Sequence, residues 1–154
     1  MNRSAKILLA IMAGFTVIQL KQPARNQSGQ VSGSNDLYSS RLPRNVQVLF
    51  QNACFDCHSN NTSYPWYFNI QPIGWILARD IENAKQVLNF SELGSLSSRR
   101  QMSKLQDIEN RLKDRTMPLV MYQLMHPDAR LSEKDRQLLI DWIQATRDSI
   151  ISKR

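Results

Sequence analysis

The feature that most constrains this chain is the run Cys54-Phe55-Asp56-Cys57-His58, which holds both cysteines and one of the two histidines within five residues. Two thiols with two residues between them and an imidazole next in line form the Cys-x-x-Cys-His pattern of covalent haem attachment. The spacing suits that chemistry. The thiols can add to the two vinyl groups of one macrocycle while the adjacent imidazole turns onto the iron as proximal ligand. Three other readings compete. Zinc would need four ligands, and Cys54, Cys57, His58 and His126 could supply them only if the adjacent Cys57 and His58 both faced one metal. A thioredoxin-like redox pair would want a βαβ context, and a plain disulfide would make the histidine incidental. Haem attachment leads.

A chain of 154 residues fits one domain with a short extension. Its 42% hydrophobic and 21% charged residues are those of a globular protein, which argues against both disorder and a multi-span membrane protein. The formal charge of +7 invites a nucleic-acid reading that its distribution weakens. Residues 1–35 contain Arg3, Lys6, Lys21 and Arg25 and no acid, leaving 16 basic against 13 acidic residues beyond them. No nucleic-acid partner is expected. The modest basic excess could steer docking to an acidic redox protein.

Arg3 and Lys6 precede an apolar run from Ile7 to Leu20, so residues 1–21 read as a signal peptide or membrane anchor. As a helix the run would span about 21 Å, short of the roughly 30 Å hydrocarbon core. That favours cleavage, but no Ala-x-Ala site ends the run, and the balance falls to an uncleaved anchor with its N-terminus inside. Residues 22–40, rich in Gln, Asn, Ser and Gly, read as a flexible linker. The domain then occupies residues 41–154.

Helical spacing recurs through that domain. Pro43 can open a helix carrying Val46, Leu49, Phe50 and Ala53 that delivers Cys54. Tyr64-Pro65-Trp66-Tyr67-Phe68 forms an aromatic loop that could shield a macrocycle or simply pack in the core. Pro72 opens a helix with an apolar stripe of Ile73, Ile76, Leu77, Ile81, Ala84 and Leu88. After a connector around Gly94, a helix from about Ser98 to Arg115 carries Met102, Leu105, Ile108 and Leu112 on one face. Ser132 caps a last helix with Leu138, Leu139, Trp142, Ile143 and Ile150. There is no period-2 strand pattern, so the fold class is all-α. Between the last two helices, Met117-Pro118 breaks the periodicity, and a loop there could bring the Met117 thioether to the second face of the iron. A thioether opposite imidazole favours reduced iron, as electron carriers need. Met121, Met125 and His126 are rivals for that position; His126 could otherwise sit in a turn or pair with a propionate.

The order of these parts resembles that of class I cytochromes c. Asn52-Ala53-Cys54-Phe55-Asp56-Cys57-His58-Ser59-Asn60, Tyr64-Pro65-Trp66-Tyr67, Ile70-Gln71-Pro72, Asn89-Phe90-Ser91, Met117-Pro118-Leu119 and His126-Pro127-Asp128-Ala129 resemble the bacterial haem-binding-domain family, small exported proteins related to cytochrome c. The resemblance covers roughly residues 41–150 and implies one haem c, with its iron, held at Cys54, Cys57 and His58. The expectation is an all-α, cytochrome c-like domain around one covalent haem, on the periplasmic or extracytoplasmic side of a membrane. It would pass single electrons between redox partner proteins without bond-making catalysis. The alternative is a haem sensor or peroxide-reactive protein with a displaceable distal ligand.

Overall fold

The computed structural model describes residues 2–28 and 42–152. Its helices are α1 (Arg3–Ile18), α2 (Arg44–Phe50), α3 (Asp56–His58), α4 (Ile73–Val87), α5 (Phe90–Leu93), α6 (Ser98–Lys113), α7 (Val120–Met125) and α8 (Glu133–Ser152). Among the described residues there is no strand, only an isolated bridge between Gln27 and Asn61. The all-α expectation holds. Two short helices, α5 and α7, fall where the sequence showed only a connector and a loop.

The core is built where α2, α5, α6 and α8 meet. Phe50, Leu93, Leu105, Leu139 and Ile143 are fully buried there. The Phe50 ring packs edge-on to Trp142 at 5.5 Å and tilted against Phe90 at 5.4 Å. Truncating such a ring costs about 3–5 kcal/mol. Helix α8 starts on a reciprocal cap: Ser132 Oγ accepts from the Asp135 amide at 3.1 Å, and the Ser132 amide donates to Asp135 Oδ2 at 3.0 Å. Helices α6 and α8 are then tied by Glu109, which accepts from Lys113, Gln144 and Arg147 at 2.6–2.8 Å.

Helix α4 is rotated from the stripe read in the sequence. Ile81 is buried, but Ile73 and Ile76 are exposed. The cause is Gly74. A Cβ there would lie 2.1 Å from the Phe68 carbonyl oxygen, so only a glycine lets the helix seat this closely on the turn before it. With Gly74 facing inward, Ile73 and Ile76 turn outward on either side.

The N-terminal segment corrects the linker expectation. Residues 22–28 are laid against the domain rather than free of it. Gln22 donates to the Asn69 carbonyl at 3.2 Å and accepts from Gln71 Nε2 at 2.9 Å. Asn26 Nδ2 donates to the Ser59 carbonyl and Thr62 Oγ1, and its amide donates to Tyr64 Oη at 2.6 Å. The rest of the expected linker, residues 29–40, lies outside the described residues. Helix α1 buries none of its side chains. Its 16 residues span about 24 Å, and no helix among the described residues is long and apolar enough to cross a membrane.

Candidate haem site

The two cysteines sit in one nearly continuous helical run. Helix α2 widens into a single π-helical stretch, Gln51–Phe55, before tightening again in α3. Such wide turns are frequent at functional sites because they re-aim side chains that a regular helix would point elsewhere. Here the wide turn carries Cys54 and the regular one Cys57 and His58. The intervening Asp56 is locked: its carboxylate accepts from the Ser63 amide at 3.1 Å and from Tyr122 Oη at 2.8 Å, and its carbonyl from Thr62 Oγ1 at 2.6 Å.

These residues form one wall of a cavity of about 750 Å³, within the range of small-molecule and cofactor sites. Cys54, Cys57, His58 and Met117 all line it, so the structure brings together the four residues singled out in the sequence. The rivals lie elsewhere. Met121 and Met125 are exposed, and His126 shares its Nε2 with the Tyr67 hydroxyl at 2.7 Å. His126 also stacks on the Tyr122 ring, with centroids 4.2 Å apart, so its place is in a polar and aromatic cluster beside the cavity. The aromatic loop does not line the cavity either. Phe68 is buried against Gly74 of α4 and under Arg25 of the N-terminal segment, and Tyr67 is buried beside His126, which is the core-packing role.

His58 is oriented from behind. Its Nδ1 lies 3.0 Å from the Leu88 carbonyl oxygen, which can only accept, so Nδ1 carries the proton and Nε2 keeps its lone pair. A backbone acceptor behind an imidazole is the usual way a metal-binding histidine has its tautomer and ring plane set. Burial is the largest influence on the ring and moves its pKa below the ordinary value, against the smaller opposing effect of the backbone contacts at Leu88 and Ala84. The imidazole is neutral at neutral pH, the form that binds iron.

The thiols are not joined to each other. Burial pushes Cys54 up to about 12, with the charge of Cys57 adding to it. Burial, then the carboxylates of Asp56 and Asp80, pushes Cys57 up to about 11. Redox-active cysteine pairs have the opposite bias, toward thiolate. Among the described residues no group of three or more His, Cys, Asp or Glu is placed to hold a metal ion, which removes the support for a zinc site.

The loop after α6 also lines the cavity, through Met117, Pro118 and Leu119. The peptide bond between Met117 and Pro118 is cis. Buried Arg136 reaches across from α8 and donates to the Met117 carbonyl at 3.2 Å and to the Leu112 carbonyl at 3.4 Å. Lys104 and Arg111 add cations to the wall, with Asp80, Asp107 and Asp114 as the nearby acids.

A profile for a haem-binding domain matches residues 13–145. The chain belongs to the haem-binding domain family. No curated protein and no solved structure matches it. The family match makes haem the cofactor of the haem-binding domain, and the residues on the cavity wall fit one: an oriented neutral imidazole, two unpaired thiols beside it, and Lys104 and Arg111 able to meet propionates. The match also begins inside α1 and takes in residues 22–28, so the N-terminal strap belongs to the haem-binding domain itself.

Three contributors to the site were missed in the sequence. The Leu88 carbonyl has no side-chain signature and was not readable. Arg136 left a trace, because it sits three residues before Leu139 and seven before Ile143, a charged residue on an apolar stripe. Tyr122 belongs to the unexpected α7 and could be found only once that helix was known.

Proposed function

We propose that the protein is an exported monohaem c-type cytochrome that carries single electrons between redox partner proteins. The observation that carries this reading is the shared cavity: Cys54, Cys57 and His58 on one wall, Met117 among its other lining residues, and His58 aimed by the Leu88 carbonyl. Bound haem would supply an iron that gains and loses one electron. The chain's own residues do the rest. Cys54 and Cys57 would carry the thioether links, His58 would present Nε2 to the iron, and Met117 would offer a soft thioether that favours the reduced metal. Were His58 and Met117 both to bind the iron, no position would be left for substrate, and the protein would perform no bond-making catalysis.

The same reading places the domain on the periplasmic or extracytoplasmic face of a membrane, held there by α1. That helix exposes Ile7, Leu8, Leu9, Ile11, Met12, Phe15 and Val17 around its circumference, with Arg3 and Lys6 at one end. A helix that is apolar on all sides and buried by none of the described residues is suited to lipid. Its length of about 24 Å against a roughly 30 Å hydrocarbon core makes it a helix embedded in the membrane rather than a full span, unless its ends snorkel or the bilayer thins.

The test of the distal ligand is the near-infrared spectrum of the ferric protein. A Met-to-iron charge-transfer band is expected in the wild type and in Met125→Ala, and its loss in Met117→Ala. A five-coordinate wild-type spectrum would overturn the electron-carrier reading in favour of a sensor or peroxide-reactive site.

A further inference from the structure

Helix α1 is coupled to the haem-binding domain without a spacer. Immediately after the helix, Gln19 and the backbone of Gln71 exchange two hydrogen bonds, Gln19 Nε2 to the Gln71 carbonyl at 3.2 Å and the Gln71 amide to Gln19 Oε1 at 2.8 Å. Gln71 is fully buried, and its side chain bonds Gln22 on one side and the Trp75 amide on the other. The Trp75 indole N–H closes the joint on the Lys21 carbonyl at 2.7 Å. An apolar helix that inserts into lipid therefore brings the turns around Gln71 to the level of the headgroups.

Those turns carry apolar side chains that the core does not use. Trp66 is 74% exposed, Ile76 59%, Ile73 46% and Trp75 36%. The close seating of Gly74 explains why the two isoleucines point outward, but it gives them no partner. Tryptophan next to the end of an apolar helix is the composition of a membrane–water interface, where an indole buries its ring and keeps its N–H bonded. Trp75 meets that description. Charge agrees as well: Lys21 and Arg25 lie in the same joint, and residues 1–35 carry no acid to oppose them. Basic residues at this level favour anionic headgroups.

We infer that the haem-binding domain lies directly on an anionic lipid surface, with Trp66, Ile73, Trp75 and Ile76 as its membrane-contacting residues. The inference rests on α1 being embedded in the membrane, as proposed above. It adds that the domain has one fixed face toward the bilayer, so that the electron carrier presents a defined orientation to partners in the same membrane.

The test uses the full haem-loaded chain in vesicles of phosphatidylcholine and phosphatidylglycerol, doped with a phosphatidylcholine whose acyl chain bears a diazirine close to the glycerol. After irradiation, adducts are mapped by peptide mass spectrometry. Expected are adducts on α1 and on residues 66–76, none on α8, and loss of the 66–76 adducts in Ile73→Ser/Ile76→Ser while those on α1 persist. Adducts on α1 with none on 66–76, or with the domain labelled instead at Val120–Met125, overturn the docking face and leave the anchor standing. A chain unlabelled on α1 overturns the anchor and the docking face together.

Discussion

Arg136→Met isolates the hold on the Met117 loop. In the wild type the buried guanidinium donates to two carbonyls, Leu112 at 3.4 Å and Met117 at 3.2 Å. A methionine fills similar space and donates to neither. The losses are unequal, because the Leu112 carbonyl keeps the Arg115 amide at 3.3 Å while the Met117 carbonyl gives up its Arg136 donor. An unpaired buried acceptor costs about 1–3 kcal/mol, and the half-buried position of Met117 puts the cost in the lower part of that range. A change of about 1–2 kcal/mol shifts a two-state equilibrium roughly 5–30-fold, here from a closed toward an open Met117 loop. Removing a buried cation also recovers its desolvation cost, so global stability changes less than loop closure does. The assay follows the Met-to-ferric-iron band and far-ultraviolet circular dichroism together through a thermal ramp. In Arg136→Met the band should vanish well before the helices melt, with Arg136→Lys between variant and wild type. If the band and the helices are lost together in the variant, as one transition, Arg136 is a structural residue and does not position Met117.

Other perturbations read other links of the account. Gly74→Ala places a methyl 2.1 Å from the Phe68 carbonyl oxygen and 2.8 Å from Gln71 Nε2, so α4 must lift off its turn. Overpacking of this kind costs about 1–3 kcal/mol, more than the roughly 1 kcal/mol that alanine returns in helix propensity, and urea unfolding should show a lower midpoint at unchanged slope; a neutral or stabilised variant would contradict the seating of α4. The Glu109 carboxyl is held below its ordinary value of 4.5, first by its hydrogen bond from Lys113 and then, against burial, by Gln144 and the charges of Lys113 and Arg147. A depressed carboxyl stabilises the fold above the unfolded value and loses that contribution as pH falls through the folded one. Stability measured from pH 6 downward, over a window of about 3 units, should therefore decline more steeply in the wild type than in Glu109→Gln, and parallel curves would show that this network carries no pH dependence.

What could be read in the sequence, and what could not, follows from how each feature is encoded. The Cys-x-x-Cys-His motif is local, and its residue types carry its chemistry, so Cys54, Cys57 and His58 are visible at once in the sequence. The helices α6 and α8 are legible because their apolar residues recur with the helical period, and α8 adds its boundary chemistry in the Ser132 cap. Helix α4 was found but misoriented: periodicity counted Ile73 and Ile76 as core, whereas the orientation is set by a backbone approach that only the neighbouring turn reveals at Gly74. The strap of residues 22–28 has the composition of a linker because amide side chains that satisfy one another across the chain, as Gln22 and Gln71 do, cannot be told in sequence from amides that face water. Leu88 could not be foreseen at all, since the group that orients His58 is a backbone carbonyl.

Covalent attachment of haem through Cys54 and Cys57 is the claim on which the rest depends. It is tested by maturing the protein in a host that attaches c-type haem, denaturing it in acid and organic solvent, and recording its intact mass with a reduced pyridine haemochrome spectrum. Haem is expected to stay with the polypeptide and to give the spectrum of a haem with both vinyl groups saturated. Cys54→Ala should leave one vinyl unsaturated, and Cys54→Ala/Cys57→Ala should release the haem. A wild-type chain that gives up its haem on denaturation would contradict it.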